Sequence, residues 1–387
     1  MSVTAPAGFS ATGASVGIKA SGVPDAALVV SARPAVAAAV FTQNKAPAAP
    51  VQTSRAHLAT TGSVVSAVLL TSGNANAATG DAGLAACSAL CGDVATTIGR
   101  PSDEVLICQT GLIGIPFPID AARPGVSTLA ATLGHDEAAA HRAATAIMTT
   151  DTFAKEVVVE RDGVTVGGMA KGAAMLAPDM ATMLCVLTTD AVTDPTTLQR
   201  ALSAAVAPSF NSMDVDGATS TNDTVIVLAN GSGVEASESL LTELLTEACM
   251  KLAEDMVTDA EGATKAVRIT VTGAASDAEA HAGARKVANS QLVKCSLNGE
   301  DPYWGRVLSD IATARIEMDP STTTIAYGGI TVSAGGVGVD HDAAAVAAHM
   351  AERWNWISID LGLGPGTASI LTTDLGYGYI DENRTTS

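Results

Sequence analysis

Residues 171–190 read KGAAMLAPDMATMLCVLTTD. A small-residue segment at Gly172, Ala173 and Ala174 runs through Pro178 into the apolar, strand-like run Met183–Leu187, with Thr182 at the junction. Threonine is β-branched and suits strands, so residue type alone makes Thr182 an ordinary strand residue. Its hydroxyl becomes a nucleophile only if a base removes its proton. Where no histidine is at hand, the threonine's own α-amine serves as that base, provided the preceding peptide bond has been cut. Such an amine has a pKa of about 7.7–8.0, suited to proton transfer near neutrality. The chemistry thus demands self-cleavage between Ala181 and Thr182. Pro178 pushes Ala177 out of the helical region, and Ala181 with the small residues upstream leaves room around the scissile carbonyl. An N-to-O acyl shift followed by ester hydrolysis would then expose the amine.

Outward from this junction, β-rich runs recur at Ala27–Val30, Val68–Leu70, Val105–Cys108, Glu156–Val159, Thr224–Leu228, Arg268–Val271 and Ile357–Asp360. Helical spacing is clearest in SLLTELLTEACMKLAEDM, where Leu241, Leu244, Leu245, Ala248, Leu252 and Met256 recur behind Ser239 as N-cap. ISIDLGLGPGTASILTTD reads as a hairpin around Gly364-Pro365-Gly366. Strands joined by such short turns favour mixed sheets covered by helices, hence an α+β fold. The small, acidic stretch Thr272–Arg285 is the softest place for a domain boundary.

The 387 residues suffice for a large core and about two domains. Aromatics are only 3%, so that core must be built from Ala, Val, Leu, Ile and Met. A net charge of −19 repels polyphosphate backbones and argues against nucleic-acid binding. No apolar run reaches membrane-spanning length, and the N-terminus lacks a signal-peptide pattern; a cytoplasmic protein is expected. The six cysteines show no CxxC pair, so neither a zinc site nor a disulfide framework is indicated.

Histidine chemistry has little support. His135 and His141 in HDEAAAH, and His341 and His349 in HDAAAVAAH, read as solvated helical faces, and His57 reads as a loop residue after SRA. The HDEAAAH spacing is not HExxH, and no GxxxxGK[ST] motif exists, so metal and nucleotide sites are not expected.

With these residues in hand, KGAAMLAPDMATML resembles the signature of the ornithine acetyltransferases, the glutamate N-acetyltransferases of arginine biosynthesis. Ordered matches run along the chain: GIKASG at 17–22, SGNANAATG at 72–80, TGLIG at 110–114, AIMTTDT at 146–152, STNDT at 220–224, DAEGATK at 259–265 and LVKC at 292–295. The resemblance implies an α/β/β/α sandwich with a smaller C-terminal lobe, residues 1–275 forming the main domain and 276–387 the lobe. It implies cleavage into an α chain (1–181) and a β chain (182–387), assembled as an (αβ)₂ heterotetramer. It further implies a ping-pong cycle in which N-acetylornithine acetylates Thr182 and leaves as ornithine, and glutamate leaves as N-acetylglutamate. No cofactor is implied, and acetyl-CoA stands as a second donor to test.

By the same resemblance, Thr110 and the Gly111 N–H form the oxyanion hole; Thr149, Thr150, Lys171, Glu261, Asn383 and a tail residue, Ser387 or Thr386, contact substrate. The tail NRTTS lacks the tyrosine usual in the family, and DPYWGR at 301–306 reads as a structural turn with Arg306 in a salt bridge. Two other readings compete. An N-terminal-nucleophile amidase or aminopeptidase would release acetate or cleave peptides without making N-acetylglutamate. A non-catalytic binding protein would persist as a full-length band on a denaturing gel.

Overall fold

A computed structural model describes residues 2–175 and 183–384. Ala181, Thr182 and Ser387, singled out above, lie outside those residues, as do Pro178 and Thr386. The described chain divides into two compact units, residues 2–175, 183–211 and 218–252 in one and 212–217 and 253–384 in the other. The change of unit therefore falls within the helix Glu238–Thr258, upstream of Thr272–Arg285. The reason is that Ala266–Ala274 is already an inner strand of the second unit's sheet.

In chain order the first strands are β1 (Phe9–Ala14), β2 (Ala26–Phe41), β3 (Val64–Asn74), β4 (Val105–Leu112), β5 (Lys155–Arg161), β6 (Val164–Lys171) and β7 (Leu184–Thr189). They are followed by β8 (Met213–Asp214), which belongs to the second unit, and β9 (Thr224–Ala229). The first unit's mixed sheet has the order β4-β3-β2-β9-β7-β6-β5, with β1 added along β2. The first half of β2 pairs with β1, its second half pairs with β9, and its register against β3 breaks between Val30 and Ala35.

Alternation of side chains then builds layers. Val68, Leu70 and Leu106 of β3 and β4 share a buried cluster with Val186, Ile226 and Leu228 of β7 and β9. The intervening residues Leu69 and Ile107 point the other way and share a cluster with Cys87, Leu90 and Val94 of the helix Gly80–Ile98. Helices thus cover both faces of this sheet, the helix Glu137–Ala146 adding Ala140, Ala143 and Ala144 to the first cluster, in the mixed α and β layering that the resemblance implied. The helix Glu238–Thr258 buries Leu241, Leu244, Leu245, Ala248, Leu252 and Met256, at the spacing read from the sequence. Its cap is Ser237, however, whose hydroxyl accepts the Leu240 N–H at 3.2 Å, so Ser239 lies inside the first turn.

The second unit carries β10 (Ala266–Ala274), β11 (Thr324–Tyr327), β12 (Ile330–Ala334), β13 (Val337–Gly338), β14 (Trp354–Asp360) and β15 (Gly366–Thr373). Its sheet order is β13-β12-β11-β14-β10-β15-β8. β14 and β15 do not form the expected hairpin. β10 lies between them, parallel to β14 and antiparallel to β15, because an apolar strand from earlier in the chain fills the centre of the sheet.

Three other expectations change. His57 lies in the helix Ala49–Thr61, its Nδ1 2.8 Å from the Val105 carbonyl. In HDEAAAH, His135 precedes the helix Glu137–Ala146 and His141 is exposed on it, but Ala139 and Ala140 are fully buried, so that helix is solvated on one side only. Arg306 donates to the Leu292 carbonyl at 2.8 Å and lies over the Tyr303 ring, and no ion pair to it is formed among the described residues.

Candidate active site

Thr110 and Gly111 are the sixth and seventh residues of β4, paired in parallel register with Ser72 and Gly73 of β3. They end the strand, and the bend follows at residues 113–115. Thr110 is buried and Gly111 exposed, so the glycine carries its amide at the rim of the sheet. Gly111 has φ +132°, and a Cβ there would lie 2.3 Å from the Gly73 carbonyl carbon. Only glycine fits this crossing.

Lys171 ends β6, is 3% exposed, and donates to the Thr110 hydroxyl at 3.4 Å. A buried ammonium needs a counter-charge. Asp151, beside it, collects the Lys155 Nζ at 2.7 Å, the Gly172 N–H at 2.8 Å and the Thr149 N–H at 3.0 Å. Burial alone would raise the Asp151 carboxyl, but the charges of Lys171 and Lys155 with the Thr149 N–H hold it well below the usual carboxylate range. One carboxylate therefore ties together the loop of Thr149, the start of β5, and the exit from β6 at Lys171-Gly172. Thr150, next to this anchor, is exposed.

The structure thus brings Thr110, Thr149 and Lys171 into one cluster within the first unit. Glu261 and Asn383 form a separate pair within the second unit, the Asn383 Nδ2 donating to the Glu261 Oε2 at 2.8 Å. Residue-by-residue reading missed Asp151 and Lys155, although Asp151 stands inside the quoted segment AIMTTDT. It also missed Asn222, whose Nδ2 donates to the carbonyls of Ala75 at 2.6 Å and Gln109 at 2.9 Å. An acidic residue following a threonine pair and an Asn-Asp dipeptide before a strand were the only signals available.

The cysteines are free, five buried and Cys295 exposed; burial pushes the Cys87 and Cys249 thiols up to about 12, which makes them inert as nucleophiles. Among the described residues, no three His, Cys, Asp or Glu side chains are grouped to hold a metal, and no helix is long and apolar enough to cross a membrane.

Comparison with known proteins bears on this arrangement directly. The arginine biosynthesis bifunctional protein ArgJ of Mycolicibacterium paratuberculosis is 46% identical over 389 residues, covering 98% of this chain and 95% of its own. Its Streptomyces avermitilis counterpart is 47% identical over 386 residues, covering 99% of each. The crystal structure of the Bacillus halodurans arginine biosynthesis bifunctional protein superposes with a TM-score of 0.50 at 36% identity, over 51% of this chain and 97% of that one. The ArgJ family model matches residues 10–385, and the chain belongs to the ArgJ family.

Proposed function

We propose that this protein is a glutamate N-acetyltransferase of arginine biosynthesis that moves the acetyl group of N-acetylornithine to glutamate through an acetyl-Thr182 intermediate. The strongest support is family membership over nearly the whole chain, joined to the hydrogen bond that sets Lys171 on Thr110. The precursor cuts itself between Ala181 and Thr182 into fragments 1–181 and 182–387, which assemble as (αβ)₂ in the cytoplasm.

In the first half-reaction the Thr182 hydroxyl loses its proton to the new α-amine, and its oxygen bonds to the acetyl carbonyl carbon. The resulting oxyanion accepts hydrogen bonds from the Thr110 hydroxyl and the Gly111 N–H. The tetrahedral adduct collapses by breaking the C–N bond; the proton passes from the Thr182 ammonium to the departing nitrogen, and ornithine leaves. Glutamate then attacks the ester by the reverse steps and leaves as N-acetylglutamate. Lys171 attracts the substrate α-carboxylate, with Thr149 and Thr150 beside it. The family resemblance assigns Glu261, to which Asn383 donates, to the distal ammonium of ornithine, and it assigns the tail residue Ser387 to substrate as well. No cofactor enters these steps; acetyl-CoA is a second donor to compare with N-acetylornithine.

Purified protein given N-acetylornithine and glutamate should form ornithine and N-acetylglutamate in equal amounts, with the parallel-line kinetics of a ping-pong cycle. Release of acetate without N-acetylglutamate would favour an amidase instead. Replacing Thr110 by Val should lower kcat by about 10²–10³ with little change in KM, the scale expected when one oxyanion donor is lost. Steady-state rates with both substrates varied would read this, and an unchanged kcat would remove Thr110 from the oxyanion hole.

A further inference from the structure

Asn222 and Asp223 are consecutive residues just before β9, and each holds a different part of the first unit. The Asn222 amide donates to the Gln109 carbonyl, which shares a rigid peptide plane with the Thr110 N–H. The Asp223 Oδ1 accepts the Met183 N–H at 3.0 Å. That N–H shares its peptide plane with the carbonyl of Thr182, the next residue back in the chain. The pair is itself fixed at the end of β2. The Thr42 N–H donates to the Asp223 carbonyl at 2.9 Å, and the Thr42 hydroxyl to the Ser220 carbonyl at 2.7 Å.

Asp223 is fully buried, and among the described residues its second carboxyl oxygen, Oδ2, has no hydrogen-bond partner. A folded protein rarely leaves a buried carboxylate half-satisfied, since an uncompensated charge in the interior is costly. Protonation of Oδ2 removes the buried charge, while Oδ1 continues to accept the Met183 N–H. Burial pushes the Asp223 carboxyl well above the usual carboxylate range, over the opposing pull of the Met183 N–H, the Lys171 charge and the Ser220 hydroxyl.

We propose that Asp223 is a positioning residue for the acetyl-transfer reaction. As an uncharged acceptor it holds the peptide that follows the nucleophile, in register with the oxyanion segment held by its neighbour Asn222. This role rests on Thr182 being the nucleophile. It makes the acceptor oxygen essential and the acid's charge dispensable, so Asp223 is not a base.

The test uses the full-length chain carrying Asp223→Asn or Asp223→Ala. Asparagine keeps the acceptor at neutral charge, whereas alanine removes it. The Asn variant should self-cleave and transfer acetyl groups within an order of magnitude of the wild type. The Ala variant should lose about 10²-fold in kcat with KM little changed, the scale for a small misplacement of reacting groups. An Asn variant as slow as the Ala variant would mean that the ionised acid is needed, and would overturn the assignment. So would an Ala variant with wild-type kcat. Should the Ala variant not fold, the Asn variant still decides by its activity. Acetyl labelling of the wild type separates the two claims: absence of label on the fragment beginning at Thr182 overturns the nucleophile and with it Asp223. Label that accumulates equally fast in the Ala variant overturns Asp223 alone.

Discussion

Replacing Thr182 by Ala should leave the chain at full length on a denaturing gel and lower acetyl transfer by a factor on the order of 10⁶, the scale for removing a covalent nucleophile. Both losses come from one oxygen atom. In the proposed mechanism the hydroxyl attacks the Ala181 carbonyl in the precursor and the acetyl carbonyl in the mature enzyme, so removing its oxygen ends both reactions. Serine at 182 should keep both, more slowly, because it retains the hydroxyl and changes only its surroundings. A Thr182→Ala protein that still splits would place the cut under another group's control. One that still turns over would remove the acetyl-threonine from the mechanism.

Replacing Asp151 by Ala should destabilise the first unit by about 3–5 kcal/mol, the usual consequence of leaving one half of a buried ion pair behind. Lys155 and Lys171 are the charges beside it: the Lys155 and Asp151 side chains are both at 0% exposure, and Lys171 is at 3%. Adding Lys155→Met removes one of these two ammonium charges and should recover part of the loss, and denaturant unfolding of both variants reads the difference. The pH dependence has a definite sign. Asp151 titrates below its ordinary value of 3.8, so its contribution is fully present above that pH and fades as pH falls through the lower folded value. The stability gap between wild type and Asp151→Ala should therefore narrow in acid below 3.8. A gap that is constant across that range would show that Asp151 is not held as a carboxylate by its lysines.

The parts of this fold that were readable from sequence are those decided by local pattern. Leu241 through Met256 repeat at helical spacing, and all are buried. The strand runs around Val68, Leu106 and Ile226 became β3, β4 and β9 because apolar alternation is a local signal. Pairing is not local, which is why Ile357–Asp374 looked like a hairpin: nothing within that stretch announces that β10 enters between its two strands. The boundary near Thr272 failed for the same reason, since small acidic residues follow β10 whichever sheet β10 joins. Within the first unit, the motifs picked out Thr110 and Lys171, which the fold brings together. Asp151 was not legible, because Gly172 becomes its neighbour only when β5 and β6 pair, and nothing in the four-residue step to Lys155 marks that ion pair as buried. The cap at Ser237 rather than Ser239 is a choice between two serines two residues apart, settled by which hydroxyl meets a free N–H.

Mass spectrometry of the purified protein, incubated with N-acetylornithine and no glutamate, probes the acyl-enzyme most directly. The account predicts two fragments, with a single acetyl group on the side chain of residue 182 at the head of the second, discharged when glutamate is added. An uncleaved chain that forms N-acetylglutamate, or a stable acetyl group on any other residue that glutamate discharges, would contradict it.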